Sequence, residues 1–299
     1  MAAGISITEQ VVRERTTIDA RLISVGRLFF GLALLGLGAE HFIFREMVTA
    51  RPPAWSDDVP GKLLWVYGSG VLVMLTGAAV LLRRGARLAV LALGVLIFFV
   101  SLLRQLPIAA ADSLLAGSWT QTAKALTFVG GSFAIAATFP PVQGATAGRW
   151  WRFVNATDPF VSMGRYCLGA FLILSGVQHF KFLAFVATLI PAWFPGNGIW
   201  WSQFAGVLLI TFGVGLLFAR TAALAALLTG LMIFSWFWIV HLPRVHTSVS
   251  DGIAVFEALA FSGVALVLAG ALGERQRVGA RWHANPTSIL HRHEAGRSA

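Results

Sequence analysis

Eight apolar runs, separated by short polar segments, dominate the chain: Leu22–Phe44, Leu63–Leu82, Leu88–Leu103, Gln121–Phe139, Met163–Phe185, Ile199–Ala219, Thr221–Val240 and Gly252–Leu272. A membrane-crossing helix needs roughly 20 apolar residues, and most runs reach that length. The third is short, so it is expected to extend past Arg104 or to lie between thicker neighbours. No run alternates with period two, and backbone groups in hydrocarbon must be satisfied within a helix or a closed barrel. The pattern predicts an all-α polytopic membrane protein with about eight transmembrane helices.

Composition supports that prediction. Of 299 residues, 57% are hydrophobic and only 12% charged, against about 25% charged in soluble domains. A water-soluble globular fold is thereby excluded. The formal charge is +10. With the N-terminus inside, all the basic residues except Arg45, Arg51, Lys62, Arg104, Lys124, Lys181 and Arg244 fall at the inner side. The positive-inside rule then puts both termini in the cytoplasm, in a bacterial inner membrane. The excess base suits anionic lipid as the partner and argues against nucleic acid. Trp55, Trp119, Trp193, Trp200 and Trp201 cluster at the opposite ends of the helices, as an interfacial aromatic belt would. Residues 1–21 are expected to form a polar cytoplasmic tail leading into an uncleaved first helix. Cys167 stands alone, so there is no thiol–disulfide pair, and it reads as a small buried hydrophobe. Redox chemistry would therefore need a bound cofactor, a quinone or a partner protein.

The chain also repeats itself. A shift of 138 residues lays Gly26-Arg27 on Gly164-Arg165, Gly31 on Gly169, Gly38 on Gly176, Glu40 on Gln178 and His41-Phe42 on His179-Phe180. Pro53-Ala54-Trp55 falls on Pro191-Ala192-Trp193, and Gly68 and Gly77 fall on Gly206 and Gly215. After a two-residue slip, Gly94 and Leu106-Pro107 match Gly230 and Leu242-Pro243; after a further slip, Ala125-Leu126 and Gly130 match Ala258-Leu259 and Gly263. Each unit has four helices, an even number, so the two units share one orientation and form two parallel four-helix bundle repeats. The units are 22–139 and 161–272, joined by a polar linker over 140–160 and followed by a basic tail over 273–299, expected to be disordered.

The motif Gly-Arg-x3-Gly-x6-Gly-x2-His-Phe, with Pro-x-Trp after the first helix, resembles the DoxX-like family of small four-helix membrane proteins. The resemblance spans both units. It implies a four-helix bundle per unit. Some relatives are associated with thiosulfate–quinone oxidoreduction and others with membrane complexes that handle oxidative stress. It thus points to an accessory or quinone-binding component of membrane redox metabolism, with a redox protein as possible partner. The two fused units and the missing cysteine pair depart from the family pattern.

Ionisable side chains inside spans cost a few kcal/mol each and normally face the bundle interior. Each half carries a matched set near the outer end: Glu40, His41, Gln105 and Lys124 in the first, Gln178, His179, His241 and Glu257 in the second. These eight are the candidate ligand-binding residues; the alternative is that they snorkel to the headgroups. At 100° per residue, Gly31, Gly38 and His41 share the face of Arg27, and small residues permit close helix approach, so this face is expected to look inward. Arg27 and Arg165 are expected to reach back to the inner surface. Glu40 is expected to pair with Lys124. Glu257 has no lysine at the matching place, so it must be protonated or face His179, His241, Lys181 or Arg244. The second half is therefore the expected binding half, with an outward-facing polar pocket in which His179, His241 and Glu257 exchange protons with a ligand headgroup. Two imidazoles and a carboxylate also form a ligand set for iron or zinc, but they lie on three helices with no HExxH spacing, and no metal is assigned. A small-molecule transporter using the same pocket, or a structural subunit without chemistry of its own, are the alternatives.

Overall fold

The computed structural model describes residues 7–143 and 148–284. Among them there is no strand, and eight long helices carry the architecture: α1 (Ile7–Phe44), α2 (Lys62–Leu82), α3 (Ala86–Ala111), α4 (Gly117–Ala137), α5 (Asp158–Lys181), α6 (Gly198–Leu217), α7 (Ala222–Arg244) and α8 (Val249–Ala284). Short helices lie at Arg149–Val154 and Leu183–Ala187. Sequence neighbours run antiparallel. Both the start of α1 and the end of α8 lie at one end of the bundle, the near end; α1 and α5 finish at the far end.

Seven of these helices are long and apolar enough to cross a membrane. The exception is α4, for which an eighth span was expected. It is long enough but carries Thr120, Gln121, Thr122, Lys124, Thr127 and Ser132. Its neighbours explain the polarity: α4 packs against α3, α5 and α8, and every residue from Thr127 to Ala136 is buried. Polar side chains are tolerated in a membrane-length helix where neighbouring helices, not lipid, face them. Its counterpart α8 is likewise central, with most of its length buried. The outer helices expose large apolar side chains, among them Ile43, Leu64, Leu82 and Leu103.

The third helix does extend past Arg104, to Ala111, through a π-turn at Ser101–Gln105. A second π-turn occupies Phe237–His241 in α7. Both close with an i→i+5 bond, from the Leu106 N–H to the Ser101 carbonyl and from the Leu242 N–H to the Phe237 carbonyl. Each precedes a Leu-Pro pair. Proline has no N–H to give and its ring crowds the carbonyl four residues back, so the backbone widens by one residue ahead of it.

Glycines set the closest helix approaches. On α1, Gly31 and Gly38 meet Gly77 and Gly70 of α2; on α5, Gly169 and Gly176 meet Gly213 and Gly206 of α6. The pairs on α2 and α6 are thus offset by 136, not 138. The two-residue slip falls in the connection before α2, and the sequence match of Gly68 with Gly206 is corrected; Gly68 faces open space. A second kind of contact is unexpected. Gly26 of α1 lies against Gly263 of α8, where a methyl on Gly26 would sit 2.5 Å from the Gly263 carbonyl oxygen. The equivalent Gly164 of α5 lies against Gly130 of α4. The first helix of each half therefore packs on the fourth helix of the other. The halves interlock and are not two self-contained bundles.

At the near end, α1 begins at Ile7 and α8 runs to Ala284, so the described parts of the tails expected over 1–21 and 273–299, residues 7–21 and 273–284, are helical. An Asp19–Arg277 ion pair joins the two helices, Arg275 pairs with Asp158 at 2.8 Å, and Gln276 donates to the Ala219 carbonyl at 2.7 Å. Residues 285–299, where a disordered tail was expected, lie outside the described residues. Arg27 extends toward the near end, where it donates to the Thr138 hydroxyl and carbonyl at the close of α4 and lies over the Phe139 ring. Arg165 likewise lies over the Tyr166 ring and bonds its hydroxyl. Arg87 is buried and donates to the carbonyls of Phe139, Val154 and Ala156, which ties the linker to α3. Cys167 packs on Gly130 and is half-buried.

Candidate functional site

The far end holds a cavity of about 360 Å³ bounded by α5, the Leu183–Ala187 helix with the loop after it, α6 and α7. Its walls are Leu189, Ile190, Phe194, Trp201, Phe204, Leu208, Met232, Trp236 and Ile239, with His179, His241, Ser202 and Ser235 as polar points. That is the usual make-up of a small-molecule site, apolar with a few convergent polar groups. His179 stands near the end of α5, with its Nδ1 2.7 Å from the Ser175 carbonyl oxygen of its own helix. Trp236 stacks beside it, centroids 6.4 Å apart. His241 closes the π-turn of α7; the extra residue of that turn sets the direction in which the ring leaves the helix. Both serine hydroxyls donate to their own helices, Ser202 to the Gly198 carbonyl at 2.8 Å and Ser235 to the Met232 carbonyl at 2.7 Å.

Behind His241 lies a buried ion cluster. Glu257 on α8 is 2% exposed and accepts from Arg51 Nε at 2.8 Å and from Lys124 Nζ at 2.9 Å. The expected pairing of Glu40 with Lys124 is thus replaced by one that crosses the two halves. It follows from the interlocked packing, which sets α8 beside α1 and α4. Of the partners proposed for Glu257, Lys181 donates instead to the Leu114 carbonyl and Arg244 pairs with Asp251, while His241 lies within electrostatic reach. Glu40 is buried too, its Oε2 has no hydrogen-bond partner among the described residues, and it faces Gly252 at the start of α8, within electrostatic reach of Glu257 and Arg51. The charges that His241 feels are Lys124, Glu257, Arg51 and Asp251, so this ring joins the cavity to the cluster.

The remaining predicted residues hold loops. Gln105, at the end of the first π-turn, donates through Nε2 to the Ala50 and Arg51 carbonyls at 2.7 and 2.9 Å. That loop is strained: Arg45, Ala50 and Arg51 all have left-handed backbone, with φ of 56°, 61° and 47°. Gln178 accepts from the Thr120 hydroxyl at 2.7 Å and donates to the Leu115 and Ala116 carbonyls, fixing the turn before α4. His41 repeats the bond of His179, with Nδ1 2.8 Å from the Leu37 carbonyl oxygen, but it is 2% exposed. Of the eight candidates, His179 and His241 line the cavity, Lys124, Glu257 and Glu40 form the cluster behind it, and Gln105, Gln178 and His41 lie in the supporting structure. The sequence reading missed Arg51. It was counted among the outer bases, although a buried Glu257 without a lysine called for a cation from elsewhere. Among the described residues, no three His, Cys, Asp or Glu side chains gather as a metal site.

A family described as a domain of unknown function (DUF8561) matches residues 168–270, the stretch that carries the cavity, His179, His241 and Glu257. No curated protein and no solved structure matches the chain.

Proposed function

We propose that the chain is a multi-pass protein of the bacterial inner membrane, a tandem DoxX-like protein with both termini in the cytoplasm. In this reading its far-end cavity binds an apolar ligand by a polar head. The role that fits is an accessory, ligand-binding component of membrane redox metabolism, with a quinone or quinol as ligand and a redox protein as partner. The observation that carries it is the cavity itself: an aromatic and aliphatic chamber whose two imidazoles, His179 and His241, are its titratable lining groups. Imidazole can give or take a proton near neutral pH, and the ion cluster behind His241 supplies a fixed polar backing. The matched glycine contacts of α1–α2 with α5–α6, and of α1–α8 with α5–α4, support two like-oriented repeats. The exposed apolar faces of the outer helices suit lipid.

The test is to purify the protein and identify copurified small molecules by mass spectrometry, alongside absorption spectra. A quinone or quinol in near-stoichiometric amount, depleted in a His179→Phe/His241→Phe variant, is the expected result. Purified protein that carries no such molecule, and gains no thermal stability when one is added, overturns the reading. The complete pairing of Glu257 favours a second one, a structural subunit in which buried charge fixes helix register. Protein that binds no ligand but copurifies with a stoichiometric partner subunit would support it. Uptake of the ligand into vesicles would instead indicate a carrier.

A further inference from the structure

Resting on the cavity reading above, we infer that its ligand ends in a hydroxyl, because His179, Ser202 and Ser235 turn acceptor atoms into the chamber, while His241, whose neutral ring keeps one N–H, can be met by the oxygen of the same hydroxyl. A carbonyl oxygen can only accept, so the contact between His179 Nδ1 and the Ser175 oxygen puts the ring proton on Nδ1. A neutral imidazole carries one proton, and Nε2 is left with a lone pair. No carboxylate pairs with His179 among the described residues, which leaves the ring without a counter-ion. The serines agree with it. Ser202 and Ser235 have given their hydroxyl hydrogens to Gly198 and Met232, so lone pairs are what they retain. The Trp201 indole N–H is spent on the Pro195 carbonyl. A carbonyl or ether head brings only further lone pairs to these atoms. A hydroxyl brings the hydrogen that Nε2 requires, and keeps lone pairs of its own for any donor. Phenols, quinols and long-chain alcohols have this head; quinones, ethers and esters do not. His41 makes the same bond to its own helix but is closed off, which restricts the preference to the second half.

Calorimetric titration of the full-length protein in detergent with 4-nonylphenol and with 4-nonylanisole isolates the hydrogen, since the two differ by a methyl on the oxygen. The phenol is expected to bind about tenfold more tightly, the scale of one buried hydrogen bond made or left unmade. His179→Phe should bring the two affinities together. Should that variant fail to fold, nitrogen-15 resonances of histidine in the wild-type protein give the same answer, with Nε2 of His179 bare and Nδ1 protonated. Equal affinities in the wild type, or a protonated Nε2 with a bare Nδ1, overturn the inference and leave the cavity reading standing. No binding of either compound overturns both.

Discussion

The far ends of the two halves start from the same elements and finish differently. In each, a helix ends in His-Phe, a connection carries Pro-Ala-Trp, and a π-turn precedes Leu-Pro. In the first half the connection folds inward: Val48 and Ala50 are buried, and Arg51 passes on to Glu257 and to Ser250 of α8. In the second, the matching stretch forms the Leu183–Ala187 helix, has no left-handed residue apart from Gly196, and stands over an open chamber. One position accounts for much of this. Gln105 has an amide that can bond two carbonyls and hold a strained loop; His241, at the same place in α7, makes no such bond. The same scaffold yields a plug or a pocket according to whether the last residue of the π-turn fastens the loop above it.

The largest effect is expected where the plug enters the shared core. Glu257→Gln leaves Arg51 and Lys124 without their counter-charge. Breaking a buried ion pair from one side costs about 3–5 kcal/mol, so thermal unfolding in detergent should shift sharply downward. Replacing Lys124 by Met in the same chain should recover part of the loss, because one stranded charge is then gone. A Glu257→Gln protein as stable as the wild type would show that the crossing between halves is ornamental.

Gln105→Leu attacks the plug directly. Two carbonyls of a left-handed loop lose their donor, at about 1–3 kcal/mol for buried groups left unpaired. The first half should then come to resemble the second: protease sensitivity within 45–55 is expected to rise, and apolar-dye binding to increase in stoichiometry. Unchanged proteolysis would mean that Arg51 alone holds the loop.

A gentler probe compares the helix crossings. A methyl on Gly70 would meet His41 Cβ at 2.8 Å and the Gly38 carbonyl oxygen at 2.9 Å, whereas on Gly206 the matching contacts, with His179 Cβ and the Gly176 carbonyl oxygen, are 3.0 and 3.2 Å. Overpacking costs about 1–3 kcal/mol, so Gly70→Ala should fall within that range. Gly206→Ala should cost less, because its backbone and Cβ contacts are the looser ones. Melting temperatures of the two variants decide it.

The smallest effect is at the rim. Lys62 bonds Asp57 and holds its carboxyl below the ordinary 3.8. A carboxylate with a lowered folded value adds stability above its unfolded value, and that contribution fades as pH falls through the lowered one. Asp57 is fully exposed, so solvent screens the pair. Asp57→Asn should match the wild type at pH 3 and melt marginally earlier at pH 6; the opposite order would reverse the assigned sign.

Helix number, approximate bounds and the matched polar positions were legible in the sequence, because apolar runs and repeated motifs are local properties. The glycines of α1 and α5 were legible for the same reason. Which helix each faces was not: Gly26 and Gly164 look alike in the alignment, yet each touches a glycine from the other half. The misassigned partner of Lys124 follows from that one omission. The register of α2 was missed because two inserted residues can sit anywhere in a loop without disturbing the motifs on either side. Arg51 was hidden by its address, a connection between spans, where a basic residue ordinarily informs topology and nothing else.

The π-turn of α7 has one consequence beyond aiming a ring. It carries a surplus residue relative to an α-helix, and each residue is worth about 100° of rotation. Were the turn to tighten to ordinary α pitch with no residue lost, the surplus would pass along the helix and swing His241 off its present direction, while Met232, Ser235 and Trp236 before the turn keep theirs. Such a turn works as a phase adjuster: it takes up one residue locally, so the stretches of α7 on either side can each keep the face that their neighbours require.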